Sequence, residues 1–500
     1  MPVSAATRID DTTRRGRGRA LYEEIRARIL DGTHAASSPL PSTRALASER
    51  GLSRTTVSTV YDQLAADGFI ETRTGAASRI AAGVGAQGAA AANPRGVAAK
   101  AVAKDSPARL SAFGQRVTQL AMPPVELPSA GQVDFMYGPL ASADFPALAW
   151  GKASRRAERE RPPRLAYGDP RGDARLRLAL HAYLARARGI FCRPEQLLVV
   201  SGSQQALDLC ARLLIDPGDR VVVEDPGYRM AHHAFSAQGA RLHGIPVDAQ
   251  GMRTDDLRRV RGAALAYVTP THQFPVGSFL TMPRRQALLQ WAARAGAWVL
   301  EDDYDSEYRF SVRPEPALQS LDKDGVVIYI GTFSKTLSPE LRLGYMIVPM
   351  QVADVFAAAK QLTDRHAASH VQRTLAVLLE DGSYERHVRR IRRQQDARRT
   401  ALLRALDRYL PGQLTVDGSS SGLHVVAWID GLPSAREGEL VAAALQERVR
   451  VYPVGPLYLP GQESEAAARP AGLVLGYALL DPGQIDRGAK RLAAAIRRLV

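Results

Sequence analysis

The sequence predicts an α/β protein in which a small helical unit with a terminal hairpin precedes a large unit built on a mostly parallel sheet. Three observations support this division. Residues 1–82 contain three short helical patterns and a Gly-centred turn, residues 83–128 are rich in Ala, Gly and Pro, and residues 129–500 alternate apolar strands with helical stretches. A chain of 500 residues also exceeds what one hydrophobic core usually serves.

Residues 1–82 carry the patterns of three helices and a two-stranded wing. Apolar residues recur every four positions in the first helix. They are Leu21, Ile25 and Ile29. Ser42 and Ser53 are predicted to cap a second helix ending at Arg50 and a third over 54–67, because a serine oxygen can accept from a free N–H of the first turn.

A helix-turn-helix places its second helix in the major groove of DNA, and this chain has suitable side chains at that position. Hydroxyls and guanidinium groups can contact phosphates and base edges there. The predicted DNA contacts are Ser42, Arg44, Ser53, Arg54, Thr55, Thr56 and, in the wing, Arg73. The pattern alone also fits a plain three-helix bundle whose arginines form a solvated face.

The stretch LPSTRALASERGLSRTTVSTVYDQLAADGFIETRTG resembles the winged helix-turn-helix of the GntR family over nearly its whole length. The resemblance implies binding to double-stranded operator DNA. The wing tip, Gly-Ala-Ala-Ser at 75–78, departs from the family's usual Gly-Ser-Gly-Thr-like tip.

Residues 83–128 are predicted to form a flexible linker, because they lack a sustained amphipathic period. Beyond them, six apolar runs predict strands that alternate with helices, and a smaller lobe follows from about residue 351. The predicted strands are Leu197–Val200, Arg220–Val223, Ala264–Val268, Trp298–Leu300, Val326–Ile330 and Gly344–Val348.

Side chains after successive strands fit the needs of pyridoxal phosphate (PLP). Lysine is rare here, at seven of 66 basic residues, and Lys335 directly follows a predicted strand. Asp302 follows another strand and is suited to pair with a pyridinium nitrogen, and Tyr304 to donate to the ring hydroxyl oxygen. A Gly-containing turn at 201–205 opens a helix and suits a phosphate, with Ser334 and Arg342 as further donors. Each of these motifs alone is weak evidence for a PLP site. The prediction depends on their order along one α/β pattern.

This region resembles fold-type I aminotransferases, and most closely the bacterial MocR/GabR-type regulators, which join a GntR-like reader to an aminotransferase-like domain. The matching segments are YGDPRGDARLR (167–177), SGSQQALDL (201–209), EDPGY (224–228), TPTHQFPVG (269–277), EDDYDSEYRF (301–310) and GTFSKTLSPELRLGY (331–345). The resemblance implies that Lys335 forms the Schiff base with PLP, as the catalytic lysine, while Asp302 and Tyr304 hold the ring. It also implies a homodimer. The further implied contacts are Tyr228 stacked on the ring, Ser203, Gln204, Ser334 and Arg342 on the phosphate, and Tyr167 from the neighbouring subunit.

One position departs from the aminotransferase pattern. Val474 stands in Gly472–Tyr477 where a substrate-binding arginine is expected, and valine cannot clamp a carboxylate. Ordinary α-amino acids are therefore expected to bind poorly. Either PLP itself or an amine anchored elsewhere, with Arg229 or His272 as contacts, is the expected effector, unless an arginine of the other subunit supplies the clamp.

Charge and cysteine content bound the remaining possibilities. The net charge of +15 is compatible with a polyanionic partner, and the arginine run at 386–404 reads either as a solvated helix or as a secondary DNA-facing surface. Two cysteines, 192 and 210, exclude a disulfide framework, no metal motif occurs, and no run predicts a membrane span, so a cytoplasmic protein is expected.

The leading hypothesis is a PLP-dependent transcription regulator rather than an enzyme. The alternatives are a working aminotransferase with an appended reader and a structural nucleoid-type DNA binder.

Overall fold

The computed structural model describes residues 9–72, 77–84, 109–122, 128–164, 166–311, 316–460 and 469–500. The chain divides into two compact units, Met1–Arg109 and Leu110–Val500. Each unit has its own hydrophobic core. No helix in the described ranges is long and apolar enough to cross a membrane.

The first unit is a three-helix bundle with a short antiparallel hairpin. Its elements are α1 (Ile9–Leu30), α2 (Thr43–Arg50), α3 (Arg54–Ala66), β1 (Ile70–Glu71) and β2 (Arg79–Ile80). Ser42 and Ser53 cap α2 and α3 as predicted, since their side chains accept from Ala45 N and Thr56 N. The apolar stripe of α1 is buried in the core, against α3. The helix-turn-helix and the hairpin thus have the predicted form over the described residues.

The predicted linker carries structure near its C-terminal end. A helix, α4 (Ala112–Thr118), lies within the second unit, where Arg116 donates from Nε to the carbonyl of Ala237 at 2.7 Å and from a terminal nitrogen to Gln238 O at 3.1 Å. These carbonyls end a neighbouring helix, which a guanidinium can cap. Residues 110–122 therefore differ from the linker prediction, which covered 83–128. Residues 85–108 and 123–127 of that prediction lie outside the described residues.

The second unit is built on an eight-stranded sheet in the order β4-β11-β10-β9-β8-β5-β6-β7. Its strands are β4 (Leu197–Val200), β5 (Arg220–Asp225), β6 (Arg241–Asp248), β7 (Gly251–Met252), β8 (Ala263–Val268), β9 (Trp298–Asp303), β10 (Val327–Thr332) and β11 (Gly344–Ile347). Strands β10, β9, β8, β5 and β6 pair in parallel, whereas β11 runs antiparallel to both its neighbours. All six predicted strands are present, with ends that differ by up to three residues. The sequence prediction omitted β6 and β7.

Helices accompany the strands and form the layers around this sheet. They are α5 (Ala147–Arg159), α6 (Ala174–Arg188), α7 (Ser203–Leu214), α8 (Arg229–Gln238), α9 (Met282–Ala295), α10 (Leu318–Leu321), α11 (Met350–Asp364) and α12 (Ser369–Glu380). Strands β4, β9, β10 and β11 are almost wholly buried, as expected for strands covered on both faces.

The sequence predicted a smaller lobe from about residue 351, but α11 and α12 pack in the cores of the large sheet. The C-terminal lobe itself is a four-stranded antiparallel sheet with helices, which the sequence did not predict in that form. Its elements are α13 (Ser383–Tyr409), β12 (Leu414–Asp417), β13 (His424–Pro433), α14 (Glu437–Gln446), β14 (Val449–Arg450), β15 (Tyr452–Pro453), β16 (Pro470–Gly476) and α15 (Pro482–Ile496). A further strand, β3 (Val133–Asp134), pairs in parallel with β14, so residues near the start of the second unit join this lobe.

The arginine run lies on α13, and its members fall into two groups. Arg398 forms an ion pair with the buried Asp144, and Arg392 and Arg399 donate to the backbone carbonyls of Glu307 and Ser419. These arginines hold the helix to the unit. The exposed members are Arg386, Arg389, Arg393 and Arg404. The run is therefore neither wholly solvated nor wholly structural, and its contact with DNA stays a prediction.

Candidate functional site

The C-terminal ends of the parallel strands deliver the predicted side chains to one cavity. Asp302 is the penultimate residue of β9, Lys335 follows β10, and Ser203 begins α7 just beyond β4. The cavity has a volume of about 370 Å³. Eight of the nine predicted cofactor residues line it, namely Ser203, Gln204, Tyr228, Asp302, Tyr304, Ser334, Lys335 and Arg342. Parallel strands meet at one edge of a sheet, which explains the convergence.

Lys335 presents its amine to the cavity. Its Nζ donates to the carbonyl of Gly138 at 2.9 Å, and the Tyr308 hydroxyl donates to the Lys335 carbonyl at 2.5 Å. Burial lowers the pKa of Lys335, although the carboxylates of Asp305 and Asp302 oppose the shift. A larger neutral fraction makes this amine a better nucleophile than a surface lysine.

Asp302 holds one engaged and one unengaged carboxylate oxygen. The Tyr267 hydroxyl donates to Oδ2 at 2.8 Å, whereas Oδ1 is buried and has no hydrogen-bond partner among the described residues. Burial raises the pKa of Asp302 to about 7, against the lowering effect of the Tyr267 hydrogen bond. A buried carboxylate with a free oxygen is suited to bind a protonated ring nitrogen.

The Tyr304 hydroxyl is in hydrogen-bond contact with the buried His272. His272 Nδ1 lies 3.0 Å from the Tyr304 hydroxyl and 2.9 Å from Asp305 Oδ2. Burial raises the pKa of Tyr304 well above its ordinary value, so its hydroxyl remains a donor. His272 does not line the cavity, which disfavours its expected role as a direct effector contact.

A cradle for an anion lies where β4 passes into α7. Gly202 has φ +83°, and a Cβ there would lie 3.0 Å from the guanidinium of Arg342. Arg342 donates to the Ser201 carbonyl at 2.7 Å, and the Thr332 hydroxyl accepts from Ser334 N at 3.1 Å. The positive φ favours glycine at 202, and the Arg342 guanidinium would have to shift to admit a Cβ there. The free N–H groups at the start of α7 follow this glycine directly.

One part of the cavity wall is aromatic. Tyr228 meets Phe274 edge to face at 5.7 Å, and Tyr137 lies 5.4 Å from the same ring. Val474 does not itself line the cavity but is fully buried in the cluster that packs against these rings. A nearby guanidinium, that of Arg469, is paired with Glu437 at 2.6 Å and stacks on Tyr458. The arginine missing at 474 is therefore not replaced at this wall by Arg469.

Two predicted residues lie away from the cavity. Tyr167 is 72% exposed and stacks under the guanidinium of Arg365 at 4.3 Å. Its contact with a neighbouring subunit's site stays a prediction. Arg229 donates to the carbonyl of Ala121 at 2.9 Å and does not line the cavity, so its expected role as a direct effector contact is disfavoured.

The first unit exposes most of its predicted DNA contacts. Arg44 and Arg54 are exposed, at the second position of α2 and the first of α3. The Ser53 hydroxyl lies 2.8 Å from Thr55 Oγ1 and 2.7 Å from Thr56 Oγ1, so these three hydroxyls form one cluster. Arg73 lies outside the described residues.

Two family models match the chain. The model for aminotransferases of class I and II matches residues 137–492, and the model for bacterial regulatory proteins of the gntR family matches residues 17–80. A relative, the probable rhizopine catabolism regulatory protein MocR of Rhizobium meliloti, is 37% identical over 96% of this chain and 94% of its own length. The chain belongs to the MocR-type transcriptional regulators.

Other relatives of this MocR-type regulator include both regulators and enzymes. The HTH-type pyridoxine biosynthesis transcriptional regulator PdxR of Corynebacterium glutamicum is 31% identical, over 86% of this chain and 85% of its own. The structure of LysN, an alpha-aminoadipate aminotransferase of Thermus thermophilus, is 32% identical, with a TM-score of 0.66, and covers 74% of this chain and 93% of LysN. The fold-type I architecture and the gntR-type N-terminal domain are thus confirmed.

The residues of this MocR-type site fit PLP. An amine with a lowered pKa, a buried carboxylate oxygen without a partner and a glycine cradle beside an arginine match its aldehyde, ring nitrogen and phosphate. The sequence analysis missed Tyr267, Gly138 and His272 as supports of the ring-binding residues. Only the motif TPTHQFPVG hinted at His272, and Gly138 and Tyr267 had no signal because their contacts join distant parts of the chain.

Proposed function

We propose that the chain is a PLP-dependent regulator in which PLP binds at Lys335 and alters binding of the first unit to operator DNA. The convergence of Lys335, Asp302 and Tyr304 in one cavity is the observation that carries this proposal. PLP would supply an aldehyde that condenses with an amine and a ring that accepts electrons.

The chain's own residues have distinct roles in this proposal. Asp302 would hold a proton on the ring nitrogen, and Tyr304, whose position His272 fixes, would donate to the ring oxygen. Tyr228 would contact the ring from the cavity wall. Ser203, Gln204, Ser334 and Arg342 bind the phosphate together with the N-terminus of α7. The Gly138 carbonyl holds the Lys335 amine in place.

A homodimer is part of the proposal. Tyr167 lies outside its own cavity, and Leu148, Leu362 and Phe191 are each more than three-quarters exposed. Burial of these three side chains against another protein surface would remove apolar area from water. A second copy of this chain would cover them and bring Tyr167 to the partner's site. We place this operator-binding dimer in the cytoplasm, because its gntR-family unit is of a DNA-binding type.

The effector is proposed to be PLP itself or an amine without a carboxylate. Among the described lining residues, the cationic side chains are Lys335 and Arg342, and both are used by the cofactor. Burial lowers the pKa of His424 to about 3, so it is neutral at pH 7. A ligand carboxylate placed beside the apolar cluster around Val474 would lose its hydration without gaining a cation. The binding free energy would be less favourable by roughly 3–5 kcal/mol.

An aminotransferase activity is the competing proposal. A 2-aminoadipate transaminase of Thermus thermophilus is 34% identical over 74% of this chain, and the residues that line the cavity fit PLP. The buried valine at 474 favours sensing instead. Turnover with an amino donor and a keto acid distinguishes the two, since a sensor completes no cycle.

Matched ligand pairs test the effector class. Purified protein loaded with PLP is titrated with α-amino acids and with the amines that lack only the carboxylate, such as alanine and ethylamine. The absorbance band of the lysine-bound cofactor and operator binding by fluorescence anisotropy are followed together. The proposal expects no amino acid to change both signals at micromolar concentration. A common α-amino acid that changes both would contradict it.

A further inference from the structure

A fully buried lysine lies outside the cavity, on the inner face of α11. The side chain of Lys360 is 0% exposed and shares its helix face with the buried Phe356 and Ala357. Its ammonium lies 2.7 Å from Asp364 Oδ1 and 2.9 Å from Oδ2. Neither member of the pair lines the cofactor cavity.

The same aspartate reaches the turn that forms the anion cradle. Asp364 Oδ2 accepts from Gln205 Nε2 at 2.8 Å and from the Ser201 hydroxyl at 3.3 Å. Gln205 Oε1 in turn accepts from the backbone N–H of Ser201 at 2.7 Å. The turn at 201–205 is thus tied through both side chains to one carboxylate on α11.

The hydrogen bonds of Asp364 to the turn at 201–205 continue to the proposed phosphate ligands. The Ser201 carbonyl accepts from Arg342 at 2.7 Å, and Gly202 and Ser203 follow it directly in the cradle. A shift of Ser201 would therefore move the guanidinium and the first N–H groups of α7 together. Anion binding at a helix N-terminus depends on these groups converging on one point.

Lys360 is fully buried and the Asp364 side chain is 25% exposed, and folding stability alone does not require an ion pair of this kind. Replacing such a pair with apolar side chains of similar size is often neutral for folding, because desolvation offsets the attraction. We infer that Lys360 and Asp364 are positioning residues that hold the turn at 201–205 in its phosphate-binding geometry. The inference rests on the proposed function, since it takes PLP as the ligand of that turn.

The experiment compares PLP with pyridoxal, which lacks the phosphate. Dissociation constants of both are measured by absorbance titration for the wild type, Asp364→Asn, Gln205→Leu and the double variant Lys360→Met with Asp364→Leu. Gln205→Leu leaves the ion pair intact, and the double variant leaves no unpaired buried charge. Asp248→Asn, which breaks an ion pair with Arg284 away from the turn, is the matched control.

The expected result is a loss of affinity that is specific to the phosphate. PLP should bind at least tenfold more weakly to each folded test variant, pyridoxal should change less than twofold, and the control should match the wild type. Should Asp364→Asn fail to fold because it strands the lysine charge, the other two variants decide. Wild-type affinity for PLP in Gln205→Leu and in the double variant overturns the inference. Wild-type protein that binds no PLP instead refutes the proposed function.

Discussion

Replacing Asp302 with asparagine should stabilise the cofactor-free protein at neutral pH. Because burial raises the pKa of Asp302 to about 7, the folded chain retains a proton that the unfolded chain releases near pH 4. Stability therefore falls as the pH rises between these values and is level above about 7. The difference from the ordinary value of 3.8 corresponds to about 4 kcal/mol at 1.36 kcal/mol per pH unit. Asparagine has no such titration and keeps an oxygen for Tyr267.

Urea unfolding followed by tryptophan fluorescence measures this difference. All four tryptophans, at 150, 291, 298 and 428, lie in the second unit, so the signal reports that unit. The advantage of Asp302→Asn should grow by about 3 kcal/mol between pH 5 and pH 8. Asp255→Asn, at a side chain 90% exposed, should show no such trend. An advantage that is constant across this range, or a variant less stable at pH 8, would refute the reasoning.

Three further substitutions test the two sites separately. Lys335→Ala should abolish the adduct that borohydride traps with PLP, and an adduct mapped by mass spectrometry to another lysine contradicts the assignment. Arg54→Ala should weaken specific operator binding tenfold or more, since a bidentate arginine–guanine contact contributes roughly 1–3 kcal/mol. Equal weakening on all sequences in a salt titration would instead assign Arg54 to phosphate. Ser53→Ala should destabilise the first unit by about 1 kcal/mol, because the side chain accepts from Thr56 N. Unchanged thermal unfolding of the isolated 1–84 fragment, compared with Thr59→Ala, would count against the cap.

Local patterns in the sequence were sufficient to predict the helices of the first unit and six strands of the large sheet, although the strand ends differ by up to three residues. The serine caps at 42 and 53 and the buried stripe at Leu21, Ile25 and Ile29 each depend on residues within about eight positions. Lys335 and Asp302 could be placed together because both follow parallel strands. Strand β6 was omitted because Gly244 and Pro246 interrupt its apolar pattern.

Contacts between distant segments could not be predicted in the same way. The Gly138 carbonyl meets Lys335 across 197 positions, and Asp364 meets Ser201 across 163. Neither Gly138 nor Asp364 carries a local sequence signal for its role, since both contacts exist only once the sheet and its helices have packed. The same holds for α4, whose position depends on Arg116 reaching the carbonyl end of α8.

The central claim is that cofactor occupancy and operator binding are coupled through one chain. Operator affinity is measured by fluorescence anisotropy on cofactor-free and PLP-loaded protein at fixed salt, with Lys335→Ala treated in parallel. Coupling requires that PLP interact differently with the two conformations, and typical couplings change affinity by about 5- to 150-fold. The account predicts a change of at least fivefold in the wild type and none in Lys335→Ala. Equal operator affinity for the two wild-type forms would contradict it.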